Sequence, residues 1–257
     1  MIDSTAIIHK NAEIDPEAHV GPYCVVEQKV KIGKGTTLLS HVVVQKGTTI
    51  GEGCTLSPFA SIGGPPQDVS YKGEETSLVI GDNNMIKEYV TINRGTEHGG
   101  GVTTVGDNNF IMAYAHIAHD CKVGNHIIMA NCATLAGHVE IADYVIFGGL
   151  CAIHQFCRVG QFAFISGVTG VPKDVPPFVI AAGDRAKLYG LNVVGLERRG
   201  FTKEEITHLK RAYRIIFRSS LPLSTSLKIV QEEFSEEKGR VQDLIDFIKS
   251  SKRGICR

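Results

Sequence analysis

What the 257 residues lack narrows the field first. No apolar run approaches the roughly 20 residues that a bilayer crossing requires. Asp3 and Ser4 follow Met1, without the basic and apolar regions of a signal peptide. A cytoplasmic protein with no membrane span is therefore expected. Charge of one sign is not in excess, because Lys plus Arg and Asp plus Glu stand at 27 each. No global field points to nucleic acid. The seven cysteines contain no CxxC pair, so their spacing does not announce metal or redox chemistry.

What is present is a beat. An aliphatic or other large apolar residue returns every sixth position from Ile8 through Val20, Ile32 and Val44 to Ile62, again at Ile80, Ile86 and Ile92, and from Val105 through Ile117, Leu135 and Ile153 to Val171. At 43% hydrophobic residues, 25 such positions in phase arise by chance less than roughly once in a million trials. Six is neither the helical period nor simple strand alternation, so it describes short strands separated by turns. Three hexads make an 18-residue triangular coil, and stacked coils pair each backbone with the one above and below. The expected fold is mainly β, a parallel β-helix about 40 Å tall at ~4.8 Å per coil. Cys24, Cys54, Cys121, Cys151 and Cys157 fall four residues after a beat, in a slot elsewhere filled by Ala, Val or Thr. They read as small buried hydrophobes. Glycines directly after a beat, such as Gly33, Gly51, Gly81 and Gly106, mark places where the chain turns or a side chain has no room.

The beat defines a first domain over 1–177, interrupted by two loops at 63–78 and 93–104, which are good places for substrate contacts. Pro172, Pro176 and Pro177 mark a linker, and an α-helical domain is expected over 178–257. There Thr202 and Glu205 form a capping box ahead of Ile206, Leu209, Tyr213 and Ile216. Leu227, Val230 and Phe234, then Val241, Leu244, Ile245 and Ile248, suggest two more amphipathic helices.

Histidines gather between the beats from Ala115 to Gln155. Residues 18 apart stack on successive coils, so His119, Gly137 and Gln155 share one line and Asp120, His138 and Phe156 the next. With His154 they map to one patch spanning about 10–15 Å. A neutral imidazole beside a hydroxyl can act as general base, and a carboxylate can fix its tautomer. His119 and Asp120 offer that pair. Gly137 can bring its backbone N–H close to a developing oxyanion. The plainer reading is a set of hydrogen-bonded turn histidines around a structural glycine. A rival is a zinc site built from His119, His138 and His154.

Taken with HIAHD (His116 to Asp120), LAGHV (Leu135 to Val139) and HQFC (His154 to Cys157), the chain resembles the UDP-N-acetylglucosamine O-acyltransferases that begin lipid A synthesis. GPPQD (Gly64 to Asp68), RGT (Arg94 to Thr96), DVPP (Asp174 to Pro177) and NVVGLERRGF (Asn192 to Phe201) extend the resemblance over the whole chain. It implies a left-handed β-helix, a homotrimer with sites between columns, and no metal or other cofactor. It also implies transfer of a 3-hydroxyacyl chain from acyl carrier protein to the 3-position of UDP-N-acetylglucosamine. In that scheme His119 is the general base, Asp120 its supporting carboxylate and Gly137 the oxyanion donor. His116, His138, His154 and Gln155 line the sugar or acyl site, and Gln67 and Asp68 reach it from the first loop. Asn192, Arg198 and Arg199 hold nucleotide or phosphate, while Gly167 leaves room for a medium or long acyl chain. Ser70, Asn93 and Val194 depart from the common pattern, where lysine, histidine and glutamate are often found. A 3-amino sugar acceptor therefore stays open as an alternative, as does a non-enzymatic repeat scaffold. The related N-acyltransferases carry an extra N-terminal domain, and the hexads here begin at Ile8.

Overall fold

In the structure, a computed structural model that describes residues 1–235 and 239–257, the six-residue beat becomes a left-handed parallel β-helix. Most strands are only two residues long, such as Thr134–Leu135 and Ala152–Ile153. One residue of each points in, and the turn begins directly after it. Among the described residues the strands form three sheets of nine, eight and ten. Val26 pairs with Val44, and Leu135 with Ile153, which is the 18-residue step. From Val20 to Val171 every beat residue is at most 4% exposed. Ile8 and Ile14 are only half-buried, because no full coil lies beneath them. The five in-phase cysteines are buried thiols, and burial pushes Cys121 and Cys151 up to about 12. They are inert core residues.

The turns differ from expectation in one respect. The left-handed backbone falls three residues after most beats, on Tyr23, Asp120, Tyr144 and their equivalents, with φ between 55° and 74°. Gly35, Gly47 and Gly53 take this position and so do several Asn, Asp and His residues, but most of the others are aromatic or aliphatic side chains. The glycine directly after a beat answers a different need: a Cβ on Gly33 would lie 2.6 Å from Gly51 C on the next coil, and one on Gly51 2.7 Å from Gly81 C. There is no room for it. The strained corners are held by stacking, as in Tyr23, His41, Phe59, Tyr89 and Tyr114, whose neighbouring ring centroids are 4.9–5.1 Å apart. Each such pair contributes about 0.5–1.5 kcal/mol, against about 1–2 kcal/mol for a left-handed residue with a Cβ.

Both loops are shorter than the lapse in the beat suggests. Strands Ser61–Gly64 and Ser77–Ile80 enter the first expected loop, and Thr91–Asn93 and Val102–Val105 the second. Their roots pair with each other, Gly64 with Asn93 and Ser77 with Val102, which satisfies backbone groups that a free loop would leave open. The loops proper are 65–76 and 94–101. They leave the same edge of the column on successive coils, because each departs from the first sheet and returns to the second.

Strands also continue past residue 177. Val179–Ala182 runs parallel to Phe164–Ile165, and Lys187–Leu191 returns antiparallel. The hexad is lost there, yet Val179 and Ala181 still point into the core. Helices follow as α1 (Val193–Arg198), α2 (Lys203–Phe217), α3 (Leu223–Glu233) and α4 (Arg240–Ser250). The capping box at Thr202 and Glu205 is formed, and the apolar faces expected for α2, α3 and α4 are buried. After α4 the chain returns to the column: Asp174 N–H donates to Gly254 O at 3.0 Å and Cys256 N–H to Asp174 O at 2.8 Å.

Candidate active site

The column has three edges. The first carries Tyr89 and Tyr114, the second Asp120, His138 and Phe156, and the third Tyr144 and Phe162, all with left-handed backbones. At the second edge the residues expected to act together do meet. His119 Nδ1 lies 2.7 Å from Asp120 Oδ2. A carboxylate only accepts, so Nδ1 carries the proton and Nε2 keeps its lone pair. The left-handed turn at Asp120 (φ 60°) bends its side chain back onto the preceding ring. Gly137 lies under that ring, since a Cβ there would come within 2.6 Å of His119 Cε1 and 2.8 Å of Nε2. Among the described residues no acceptor takes the Gly137 N–H. His138 Nε2 is 3.6 Å from Asp120 Oδ2, and its ring stacks on Phe156 at 4.5 Å.

Asp120 is nearly inaccessible. Burial pushes its carboxyl upward, but hydrogen bonds from Thr96 and His119 outweigh it and hold the group below the usual carboxylate range. Thr96 N–H donates to Oδ1 at 2.8 Å and Thr96 Oγ1 to Oδ2 at 2.6 Å. Burial pushes His138 down despite the attraction of Asp120, so this ring stays neutral at neutral pH. Burial likewise pushes down His116, whose Nδ1 is 2.7 Å from Thr91 Oγ1. A cleft of about 660 Å³ runs along this edge, lined by Gly99, Asp120, His138 and Phe156 and closed on one side by Lys252 and Arg253.

Thr96, His98 and Arg94 escaped the spacing argument, because the second loop carries no beat to register them. Arg94 is 4% exposed and ties the loops together, donating to Gly63 O at 2.8 Å and to the Tyr71 hydroxyl at 3.0 Å. Asp68 reaches the edge, with His98 Nε2 at 3.4 Å from its Oδ2. Gln67 is exposed on the same loop.

Other expected residues stand apart. His154 turns to the C-terminal segment, where Arg253 Nη2 donates to its Nδ1 at 2.8 Å, and Gln155 is exposed beside it. The three-histidine metal set is therefore not assembled. The described residues that could share an ion are His119, Asp120 and His138, with ligand atoms within 4.8 Å of one another. Coordination there would displace the bond between His119 and Asp120. Arg198 and Arg199 lie at the third edge, in a pocket of about 490 Å³ with Tyr144, Phe162, Phe201 and Arg240. The Arg199 guanidinium sits 4.8 Å over Tyr144, and that of Arg240 4.8 Å over Phe201. Asn192 caps α1, accepting from Gly195 N at 3.2 Å and donating to Phe162 O at 3.0 Å. Val194 is exposed on α1. Gly167 is on the first edge, where a Cβ would stand 3.2 Å from Gly149 O. One column thus distributes the expected residues over all three edges.

Comparisons with known proteins agree on this chain's relationship. Residues 174–256 match the family described as UDP N-acetylglucosamine O-acyltransferase, domain 2, and residues 29–64 and 103–137 match the bacterial transferase hexapeptide. The acyl-[acyl-carrier-protein]--UDP-N-acetylglucosamine O-acyltransferase of Thermodesulfovibrio yellowstonii is 56% identical, covering 100% of this chain and 99% of that protein. The solved Francisella novicida UDP-N-acetylglucosamine acyltransferase superposes with a TM-score of 0.97 at 43% identity, covering 100% of this chain and 94% of that one. The Arabidopsis UDP-N-acetylglucosamine acyltransferase superposes with a TM-score of 0.89 at 38% identity, covering 100% of both.

Proposed function

The chain belongs to the UDP-N-acetylglucosamine O-acyltransferase family, and from that premise we propose that it transfers a 3-hydroxyacyl chain from acyl carrier protein to the 3-hydroxyl of UDP-N-acetylglucosamine, the first step of lipid A synthesis. The observation that carries this reading is the second-edge dyad. Asp120 fixes the His119 proton on Nδ1 at 2.7 Å, which leaves Nε2 as the base. Nε2 takes the proton of the sugar hydroxyl as its oxygen attacks the thioester carbonyl. The Gly137 N–H, which no acceptor among the described residues takes, stabilises the oxyanion. Collapse of the tetrahedral centre breaks the C–S bond, and the leaving thiolate takes the proton back from His119. No covalent enzyme intermediate is required.

His116, His138, His154 and Gln155 line the sugar and acyl site, and Gln67 and Asp68 approach from the first loop. Arg198 and Arg199 hold the phosphates with their rigid donor forks, Asn192 serving them by capping α1. These groups occupy different edges, which favours a homotrimer whose neighbouring columns complete each site. Gly149 and Gly167 leave a bare strip on the first edge, suited to a medium or long acyl chain. The seven cysteines are unpaired thiols, the state a reducing cytoplasm maintains.

Acyl transfer should be measured from 3-hydroxyacyl carrier proteins of graded length to UDP-N-acetylglucosamine and to its 3-amino analogue, with and without chelator. Chelator-independent transfer to the hydroxyl sugar, fastest with medium or long chains, is the expected result. Faster transfer to the amino sugar would make the product an amide. No transfer to either would overturn the reading.

A further inference from the structure

The loops over the second edge contain a contact that neither the spacing nor the family resemblance assigns. His98, at the tip of loop 94–101, places Nε2 3.4 Å from Oδ2 of Asp68 on loop 65–76. The other Asp68 oxygen is already committed, accepting from Ser70 N at 2.8 Å and Ser70 Oγ at 2.7 Å. Oδ2 is therefore the oxygen free to meet a ligand, and His98 is the side chain that aims it. The imidazole is 57% exposed against 19% for the Asp68 side chain, so the outer side of the pair remains open.

The position of His98 is itself set by the dyad. Gly99 packs against the Asp120 carboxylate so closely that a Cβ would collide with it. Its N–H donates to Thr96 Oγ1 at 3.1 Å, and Thr96 in turn donates twice to Asp120. The His98 ring centroid is 6.0 Å from that of His138, which faces the same carboxylate. Loop 94–101 is thus keyed to Asp120, and His98 passes that registration to the first loop. A carboxylate on a 12-residue excursion would otherwise lose conformational freedom only on binding, at a cost in affinity.

We propose that His98 is a positioning residue, holding Asp68 at the second edge beside the loop keyed to Asp120 so that Oδ2 can accept a hydrogen bond from a sugar hydroxyl of the acceptor. The assignment rests on the reaction proposed above. His98 acts through Asp68 and touches no reacting atom.

The test is calorimetric titration of UDP-N-acetylglucosamine into the full-length wild type, His98→Ala, His98→Gln, Asp68→Ala and the Asp68→Ala/His98→Ala double variant, with thermal unfolding of each as a folding control. Loss of the imidazole–carboxylate contact predicts about 10-fold weaker binding for His98→Ala. His98→Gln, whose amide can still donate to Oδ2, recovers most of that loss. Because the two residues act as one unit, the double variant binds no more than about 2-fold more weakly than Asp68→Ala alone. Multiplying effects in the double variant, or wild-type affinity in His98→Ala, would overturn the role of His98 while leaving the reaction intact. A wild type that does not bind the nucleotide sugar would overturn both. If His98→Ala fails to fold, unchanged affinity against a weakened Asp68→Ala can no longer be read from it, and equal losses in His98→Gln and Asp68→Ala would then overturn the proposal.

Discussion

The first and second edges of the column share one backbone and do opposite things with it. Tyr89 and Tyr114 on the first edge, like Asp120 and His138 on the second, have φ between 58° and 61°. On the first edge the side chains from Tyr23 to Tyr114 stack in a ladder, with Tyr89 and Tyr114 4.9 Å apart and 3° from parallel. On the second, two loops leave on successive coils, and the first corner residue that follows, Asp120, turns from stacking to hydrogen bonding, while His138 still stacks on Phe156. Asp120 is wrapped by Thr96 and His119 instead of covered by a ring. A fixed corner geometry thus becomes scaffold or site according to what is attached to it and what the loops bring near. The stiffness is common to both, and pre-organisation at the second edge draws on it.

The largest effect should come from removing the base. His119→Ala is expected to lower kcat by about 10² to 10⁴ while thermal unfolding stays near wild type, because the ring is attached to a corner and not to the core. Near-normal turnover in a folded variant would leave the two edges functionally alike. Gly137→Ala comes next. The added methyl must enter the space of the His119 ring, 2.6 Å from Cε1, displacing the base and crowding the oxyanion position together, so a fall of about 10² in kcat is expected. The same Gly→Ala change at Gly35, where nothing among the described residues stands within 4 Å, should leave turnover intact; its positive φ strains only the backbone.

These two residues were legible because they keep the beat. A six-residue period fixes which residues stack, so His119 over Gly137 followed from an offset of 18 alone. Contact between His119 and Asp120 did not follow, since sequence neighbours on a strand point apart; it depends on the left-handed turn at Asp120. The contacts of Thr96, Arg94 and His98 were hidden for the opposite reason. These residues lie on an excursion with no period, and their partners at 24, 31 and 30 residues' separation are set by where two loops leave one edge. His154 keeps the beat and still departs from the patch, because Arg253, near the other end of the chain, holds its ring. Strands from Val179 to Leu191 were hidden by prolines that end the hexad without ending the stack.

The ladder can be broken without touching the site. Tyr89→Asn keeps a residue that tolerates a left-handed backbone and removes two ring pairs, with Phe59 and with Tyr114. Each pair contributes about 0.5–1.5 kcal/mol, so denaturant unfolding at fixed protein concentration should show a loss of about 1–3 kcal/mol with kcat unaltered. A variant as stable as wild type would mean that the first-edge rings merely coincide with the corners and do not offset their strain.

The smallest effect concerns the face between the two edges. His116 lies there, on the strand His116–Ile117 that joins Tyr114 to His119, and burial pushes its imidazole below the ordinary value. In the unfolded chain a histidine binds a proton near pH 6.5, whereas in the folded chain it does so only at lower pH. Between those two values the unfolded state holds more protons, so acidification favours unfolding. The stability associated with neutral His116 is complete above about pH 6.5 and is lost as pH falls toward the folded-state value. His116→Gln keeps a polar partner for Thr91 and removes the titration. Its stability, followed by denaturant unfolding from pH 7.5 down to about pH 5.5, should therefore fall less steeply than that of the wild type. Equal slopes would show that Thr91 and the neighbouring coils solvate the imidazolium as well as water does, and that the wall between ladder and site is wetter than its packing indicates.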